Sequence, residues 1–513
     1  MDSKAKIEDR QDPIEHAGSL EVEETEKRRN EGFEDLTNTV PEEQRKQLLR
    51  KMDFRLLPLL MVLYLLAFID RANIGNAKIE GLEDDLGLSP KEYQITLSVF
   101  FISYILFEVP SNYVLEKYFA KRPATWIGIL AVGWGVSMTM HGVVQNFEGI
   151  AMVRFIMGIF EAGFFPGALA IMNQWYTKYE LGKRIAIFYT ASALSGAFSG
   201  LLAFAIAKMD GIGGLEGWRW IFLLEGIATV LFGGICWALL PSNPVQRPSW
   251  LAEEEIEYLI NRMVAQNGGV EADKAGKEVS WGTFWAVVTD MQYYGFVFLC
   301  LSNTVPNYGF KFMLPQIIKD MGYTASNAQL LSIPPYVAGA ISSITFNFLG
   351  DKFQRRSWFL IGPISCIIVA YCILIPLSPN TQDNIGPSFF AVILANIGCY
   401  PIAPGVSAWA SNNSAGAAKR SVALAYILSY SSIGGIIASY IFIESESPGY
   451  PTGFGVSVAF ATGGIIAATC LDLYYTRQNK KHDGMTMVEI SAKYSQEELA
   501  GMGNKSPLFR YTL

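Results

Sequence analysis

Histidine is scarce: His16, His141 and His482 are the only three in 513 residues. They are scattered and cannot build a metal site, so neither a metal nor any other cofactor is expected. The six cysteines, Cys236, Cys300, Cys366, Cys372, Cys399 and Cys470, all lie inside apolar stretches. That speaks against a disulfide framework. Charge is also short. Charged residues make up 17% of the chain, against about a quarter in soluble globular proteins. The net charge of −7 leaves no basic surface for nucleic acid. The first fifty residues are polar and rich in Glu, Lys and Arg, without a short apolar core and cleavage site, so no cleavable signal peptide is expected.

What fills the gap is hydrophobic, 51% of the chain. The apolar residues fall into stretches of about twenty, each long enough to cross roughly 30 Å of hydrocarbon. A soluble multidomain enzyme is excluded. Twelve spans are expected, near 55–76, 93–113, 123–141, 148–171, 184–207 and 218–240, then 290–313, 327–349, 357–377, 387–410, 421–443 and 454–475. The fold expected is an all-α membrane protein of twelve transmembrane helices in two six-helix bundles, 51–240 and 288–475. The tails, 1–50 and 476–513, read as disordered and cytosolic, being polar and poor in large apolar residues. In the central segment, 241–287, Trp250, Leu251, Ile256, Leu259, Ile260 and Met263 recur at helical spacing among glutamates. This suggests a short amphipathic helix, either at the membrane surface or packed on the bundle.

Orientation follows from the short loops. On one side they carry Lys117, Lys121, Arg122, Lys178, Lys183, Arg184, Lys352, Arg355, Arg356, Lys419 and Arg420. On the other they carry Lys78, Lys91, Lys208 and Lys319. The positive-inside rule puts both tails in the cytosol.

Two of these loops repeat one another. Asn112, Glu116, Lys117, Lys121 and Arg122 follow the second span, and Asn347, Asp351, Lys352, Arg355 and Arg356 follow the eighth, in the same order. Equivalent loops in two six-span halves mark a duplicated transporter bundle with its substrate held near mid-membrane. The pattern resembles the loop motif of the major facilitator superfamily, with Asn112 and Asn347 in place of its first glycine. The loops read as gating latches, with Glu116 and Asp351 available to pair with basic groups or helix N-termini across the halves. Positive-inside anchoring accounts for the lysines and arginines on its own.

Charge inside the apolar stretches is costly, roughly 2.5–3.5 kcal/mol at mid-bilayer, so it is functional by default. Span one ends in Asp70 and Arg71; span four holds Arg154, Gly158, Glu161 and Gly163. Seven residues are two helical turns to within about 20°, which sets Arg154 and Glu161 on one face, roughly 10 Å apart. The two glycines allow a helix or a ligand to approach closely. These charges could pair with one another and hold the bundle together. They could instead serve chemistry: an arginine fork suits a carboxylate, and a carboxylate that loses its arginine to an anionic substrate takes up a proton. Asp70 and Glu161 are thus candidates for the proton, Arg71 and Arg154 for the substrate. Tyr104 and Asn396, with Tyr64, Trp134 and Tyr189, are candidate cavity residues. Glu225 reads as structural.

The Asp70-Arg71 pair, the run from Arg154 to Gly163, and Trp175-Tyr176 together resemble the anion:cation symporter branch of that superfamily. Ile69–Ala77, Glu108–Asn112, Gly217–Phe222 and Trp409–Asn413 are similar to its fungal arm of allantoate, nicotinate, pantothenate and biotin permeases. The likeness covers roughly residues 45–475. It implies a monomeric, proton-coupled plasma-membrane carrier of a small organic anion, working by alternating access. It also implies that Arg71 and Arg154 bind the anion, that Asp70 and Glu161 couple the proton, and that a positive residue in span seven, here Lys311, contributes. Lys311 could equally snorkel to headgroups. Export of an acidic metabolite and nutrient sensing without transport stay open as alternatives. No Ser/His, metal or paired-acid constellation suggests an enzyme.

Overall fold

The computed structural model describes residues 41–266, 281–415, 417–485, 489–490, 493–495 and 502–513. The described residues fall into two compact units. The chain up to Phe54 together with the segment from Pro244 makes a small one. Arg55–Asn243 and the chain from residue 281 onward make a large one.

In the small unit, Lys51 pairs with Glu255 at 2.6 Å. The amphipathic helix of the central segment is present as Glu253–Gln266. Ile256 and Leu259 are buried by protein, at 2% and 0% exposure, which favours a packed helix over one with its apolar face in lipid. Residues 267–280 and 1–40 of the expected loop and tail lie outside the described residues.

The large unit is helical throughout. In its first half run α1 (Glu42–Ile79, which begins in the small unit), α2 (Pro90–Tyr118), α3 (Pro123–His141), α4 (Phe147–Glu161), α5 (Phe164–Trp175), α6 (Lys178–Ala207) and α7 (Gly217–Leu239). Local chemistry sets their starts. Ser89 and Glu92 form a capping box ahead of α2, with Pro90 at its first position. The Asn146 side chain accepts from the Gly149 N–H at the head of α4, at 2.9 Å. In the second half, Met291–Asp320, Ile333–Phe353, Arg356–Leu377, Ile385–Asn412, Ala417–Ser431 with Ile433–Ile441, and Pro451–Asp483 repeat the arrangement.

Ten helices among the described residues are long and apolar enough to cross a membrane. The pair Gly282–Val288 and Met291–Asp320, bent by 65°, makes eleven. The eighth expected span exists as Ile333–Phe353, but serines, two prolines, an asparagine and a closing Asp351-Lys352 leave it less apolar than the others. Large apolar residues such as Leu106, Leu231, Ile344 and Ile466 point outward, as they must where the surroundings are lipid.

The second tail departs from expectation. Helix Pro451–Asp483 continues well past residue 475, and the described residues from 502 onward dock on the second half. The Tyr511 ring stacks on Tyr475 at 4.7 Å, Trp409 donates its indole N–H to the Thr512 carbonyl at 2.8 Å, and Asn413 bonds both polar groups of the Thr512 backbone. Polar composition alone suggested disorder; aromatic partners supplied by the bundle give the tail something to bury. At the other end of the chain, α1 begins at Glu42, inside the stretch read as a tail.

Candidate functional site

Between the halves lies a cavity of about 1210 Å³, counting the part open to solvent. Its walls come from Tyr64, Arg71, Tyr104, Glu108, Glu161 and Tyr189 on one side and from Asn303, Tyr308, Lys311, Ser343, Tyr400 and Ser431 on the other. The far end, opposite the tails, is closed. There Gln329 donates to Glu80 at 2.9 Å, Lys319 to the Ile79 carbonyl at 3.2 Å, and the hydroxyls of Ser98 and Tyr440 meet at 2.9 Å. A Cβ on Gly75 would meet the Phe312 carbonyl oxygen at 2.8 Å, so glycine is what lets α1 and Met291–Asp320 cross there.

Arg71 is the centre of the site. Its Nε donates to Glu161 Oε1 at 2.5 Å and its Nη1 to the Tyr308 hydroxyl at 2.9 Å, across the halves. The guanidinium rests against the rings of Tyr104, Phe68 and Phe100, 4.9, 5.0 and 5.2 Å from their centres. Lys311 joins from the second half: its Nζ donates to the Phe68 carbonyl at 3.0 Å and lies 4.7 Å from the centre of the Phe68 ring. Two cations thus reach one cavity, and among the described residues only Arg71 of the two forms a salt bridge. Aromatic faces supply the rest of their stabilisation.

Asp70 faces elsewhere. Consecutive helical residues point about 100° apart, so Arg71 in the cavity directs Asp70 away from it, into the first half. There it is fully buried. Its Oδ2 accepts from Thr229 at 3.3 Å, and its Oδ1 has no partner. Glu225, on the same helix as Thr229, accepts from Asn73 and also leaves one oxygen unpaired. Arg154, 2% exposed, lies behind the wall too: its Nη1 is 4.0 Å from the Met157 sulfur and its Nε lacks a partner. The close approach read from the glycines of span four is real, and it serves packing. A Cβ at Gly158 would lie 2.5 Å from the Phe100 carbonyl, and one at Gly163 would collide with Ser111.

A charged cavity between two halves of matching helices, closed at one end, is the geometry of a solute carrier. Residues 60–439 match the family described as Major Facilitator Superfamily. The chain belongs to that superfamily. It is 37% identical to "MFS-type transporter cnsO" of Penicillium expansum over 94% of this chain and 93% of that one. In fold it is similar to a bacterial homolog of the human lysosomal transporter Spinster, inward-facing and unoccupied, with TM-score 0.61 and 18% identity, over 82% of this chain and 96% of that one. It is also similar to a D-xylose-proton symporter, with TM-score 0.61 and 15% identity, over 82% and 97%.

The protein is therefore a multi-pass membrane transporter, and its two repeated loops can be placed in that frame. Asp351 pairs with Arg356 of its own loop, and Lys117 bonds Tyr113 one turn back at 2.9 Å. Arg355 stacks over Trp358 at 4.8 Å. Asn347 spans to the Pro401 carbonyl at 3.3 Å within its own half. Glu116, Arg122 and Lys352 are exposed, and Asn112 is half-buried. Among the described residues, Glu116 and Asp351 make no pairing across the halves in this conformation, whose far end is the closed one.

Of the other candidates, Tyr104, Tyr64 and Tyr189 line the cavity. Asn396 does not: it is buried and its amide bonds the Val392 carbonyl of its own helix at 3.1 Å. Trp134 is buried in the first half. The wall residues Glu108, Asn303, Tyr308, Ser343, Tyr400 and Ser431 carry no assignment from sequence, and for two of them a signal existed. Tyr308 sits three residues before Lys311 and so on the same helical face, a signal that was there to use. Glu108 is an acid at mid-span, which the cost of buried charge should have flagged.

Proposed function

We propose that this transporter is a proton-coupled symporter that takes up a small organic anion, nicotinate or a related monocarboxylate, at the plasma membrane and as a monomer, with both tails in the cytosol. The observation that carries the reading is the Arg71–Glu161 ion pair on the cavity wall. Arg71 has one fork and two claimants. An incoming carboxylate that takes the guanidinium edge, with Lys311 beside it, deprives Glu161 of its cation. A carboxylate left buried without a counter-charge is costly and takes up a proton instead. Anion and proton are then bound together, with the net charge of the site unchanged by the pair.

The same exchange bears on movement. Arg71 and Lys311 each bridge the halves, through Tyr308 and the Phe68 carbonyl. A substrate bound to both cations competes with those bridges, which gives it a differential affinity for two arrangements of the bundles. Asp70, packed against α7 in the first half, is a second proton carrier on this reading, acting behind the wall rather than on the substrate. Arg154 would support Glu161 and Asp70 electrostatically in this conformation, and reach the anion only after α4 moves.

The test is uptake of labelled nicotinate, pantothenate and allantoate into transport-deficient cells at acid and near-neutral pH, beside Arg71→Ala and Glu161→Gln. Acid-stimulated uptake of one compound, absent in Arg71→Ala, supports the reading. No uptake of any, from protein shown to be at the surface, turns it towards export.

A further inference from the structure

Glu108 is unused by the exchange just described. It lies on α2, 4% exposed, and lines the cavity. Ser429 of the second half donates to its Oε2 at 2.7 Å. No salt bridge to it is formed among the described residues, and its other oxygen makes no hydrogen bond. A buried carboxylate whose one hydrogen bond comes from a hydroxyl is an incomplete site: its remaining acceptor capacity faces a cavity that substrate must occupy.

Its position relative to the cations is fixed by the helix. Arg71 rests on the ring of Tyr104, and Glu108 follows Tyr104 by four residues, one turn along the same face, roughly 5–6 Å towards the tail end. The cavity is thus polarised along its length, with Arg71 and Lys311 at the closed end and an acid about a turn away. A simple monocarboxylate would satisfy the first pole and leave the second bare.

We propose that Glu108 selects for substrates carrying a protonated amine in addition to the carboxylate, the amine resting on Glu108 while the carboxylate lies on Arg71 and Lys311. This rests on the carboxylate site of the reading above, Arg71 with Lys311, and replaces the simple monocarboxylate named there by zwitterions of limited length. A charge-assisted hydrogen bond to a buried carboxylate discriminates strongly against a partner that lacks the donor.

The experiment measures binding to the purified full-length protein by thermal shift and competition. The probes are ω-amino acids of four to six carbons, each paired with the alkanoate in which a methyl group replaces the ammonium. Wild type is expected to bind the amino member at least about tenfold more tightly at one of these lengths. The preference should vanish in Glu108→Gln and survive in Ser429→Ala, which removes the cross-half hydrogen bond but keeps the acid. Equal binding of both members, no binding of any amino member, or an unchanged preference in Glu108→Gln overturns the proposal. Alkanoate binding that is lost in Arg71→Ala leaves the anion reading standing whichever way this falls.

Discussion

The two halves share a topology and differ in what they bury. The first half encloses Asp70, Glu108, Arg154, Glu161 and Glu225, five carboxylates and guanidinium groups with 4% exposure or less, and among the described residues several of their polar atoms make no hydrogen bond. The second half instead encloses one continuous apolar core, with Phe296, Tyr371, Trp409, Phe454 and Tyr475 among its residues. To the cavity it contributes one cation, Lys311, and hydroxyls such as Tyr308 and Ser431. A duplicated fold has therefore divided its labour. On the proposed reading, the first half holds the charge exchanged between proton and substrate, while the second adds Lys311 and a largely neutral wall. Unpaired buried polar atoms cost stability; both halves hold some, but those on carboxylates and arginines deep in the bundle, Asp70, Arg154, Glu161 and Glu225, belong to the first half.

Removing charge from the first half should break this contrast most severely. Arg71→Ala leaves Glu161 buried without its cation, at a cost of about 3–5 kcal/mol, and should reduce transport at least about thirtyfold. Thermal unfolding of Arg71→Ala with Glu161→Gln should recover most of that stability but none of the transport, since the anion site is still gone. Glu161→Gln alone should keep exchange of labelled for unlabelled substrate and lose accumulation against a gradient. Loss of both would mean that Glu161 acts in binding rather than coupling.

Changes in the second half should be milder and should act on affinity. Lys311→Met is expected to weaken substrate binding about tenfold while leaving coupling to the pH gradient intact. Tyr308→Phe removes one hydrogen bond to Arg71 and should weaken binding about threefold. Smallest of all, Gln329→Ala deletes the contact to Glu80 at the far end. It should raise the rate at which a thiol reagent added from that side labels Asn307→Cys by about twofold, with substrate affinity unchanged.

Much of this was legible in the sequence because a charged residue in an apolar run stands out. Arg71 and Glu161 were identifiable in that way and Lys311 through the family resemblance, and the structure brings all three to one cavity. What one chain cannot reveal is helical phase. Asp70 and Arg71 are neighbours, yet one turns inward and the other to the cavity. Arg154 shares a face with Glu161 but is too far along the helix to reach the same space. Asn396 looked like a cavity amide and spends its hydrogen bond on its own backbone. The C-terminal tail was misread for a related reason: Tyr511 meets Phe509 nearby in sequence, but the partner that docks the tail is Tyr475 of the last long helix, which the sequence does not place beside it. Glu108 and Tyr308 were visible as residue types, and only the packing of α2 against the second half gives them a role.

The central claim is that anion binding at Arg71 releases Glu161 to take up a proton. The most direct measurement is proton uptake by purified protein in weakly buffered solution, followed with an indicator dye as a transported anion is added. The account predicts uptake of about one proton per anion bound in wild type, and a marked loss of that uptake in Glu161→Gln despite continued binding. Binding without proton uptake in wild type, or the same uptake in Glu161→Gln, would contradict it.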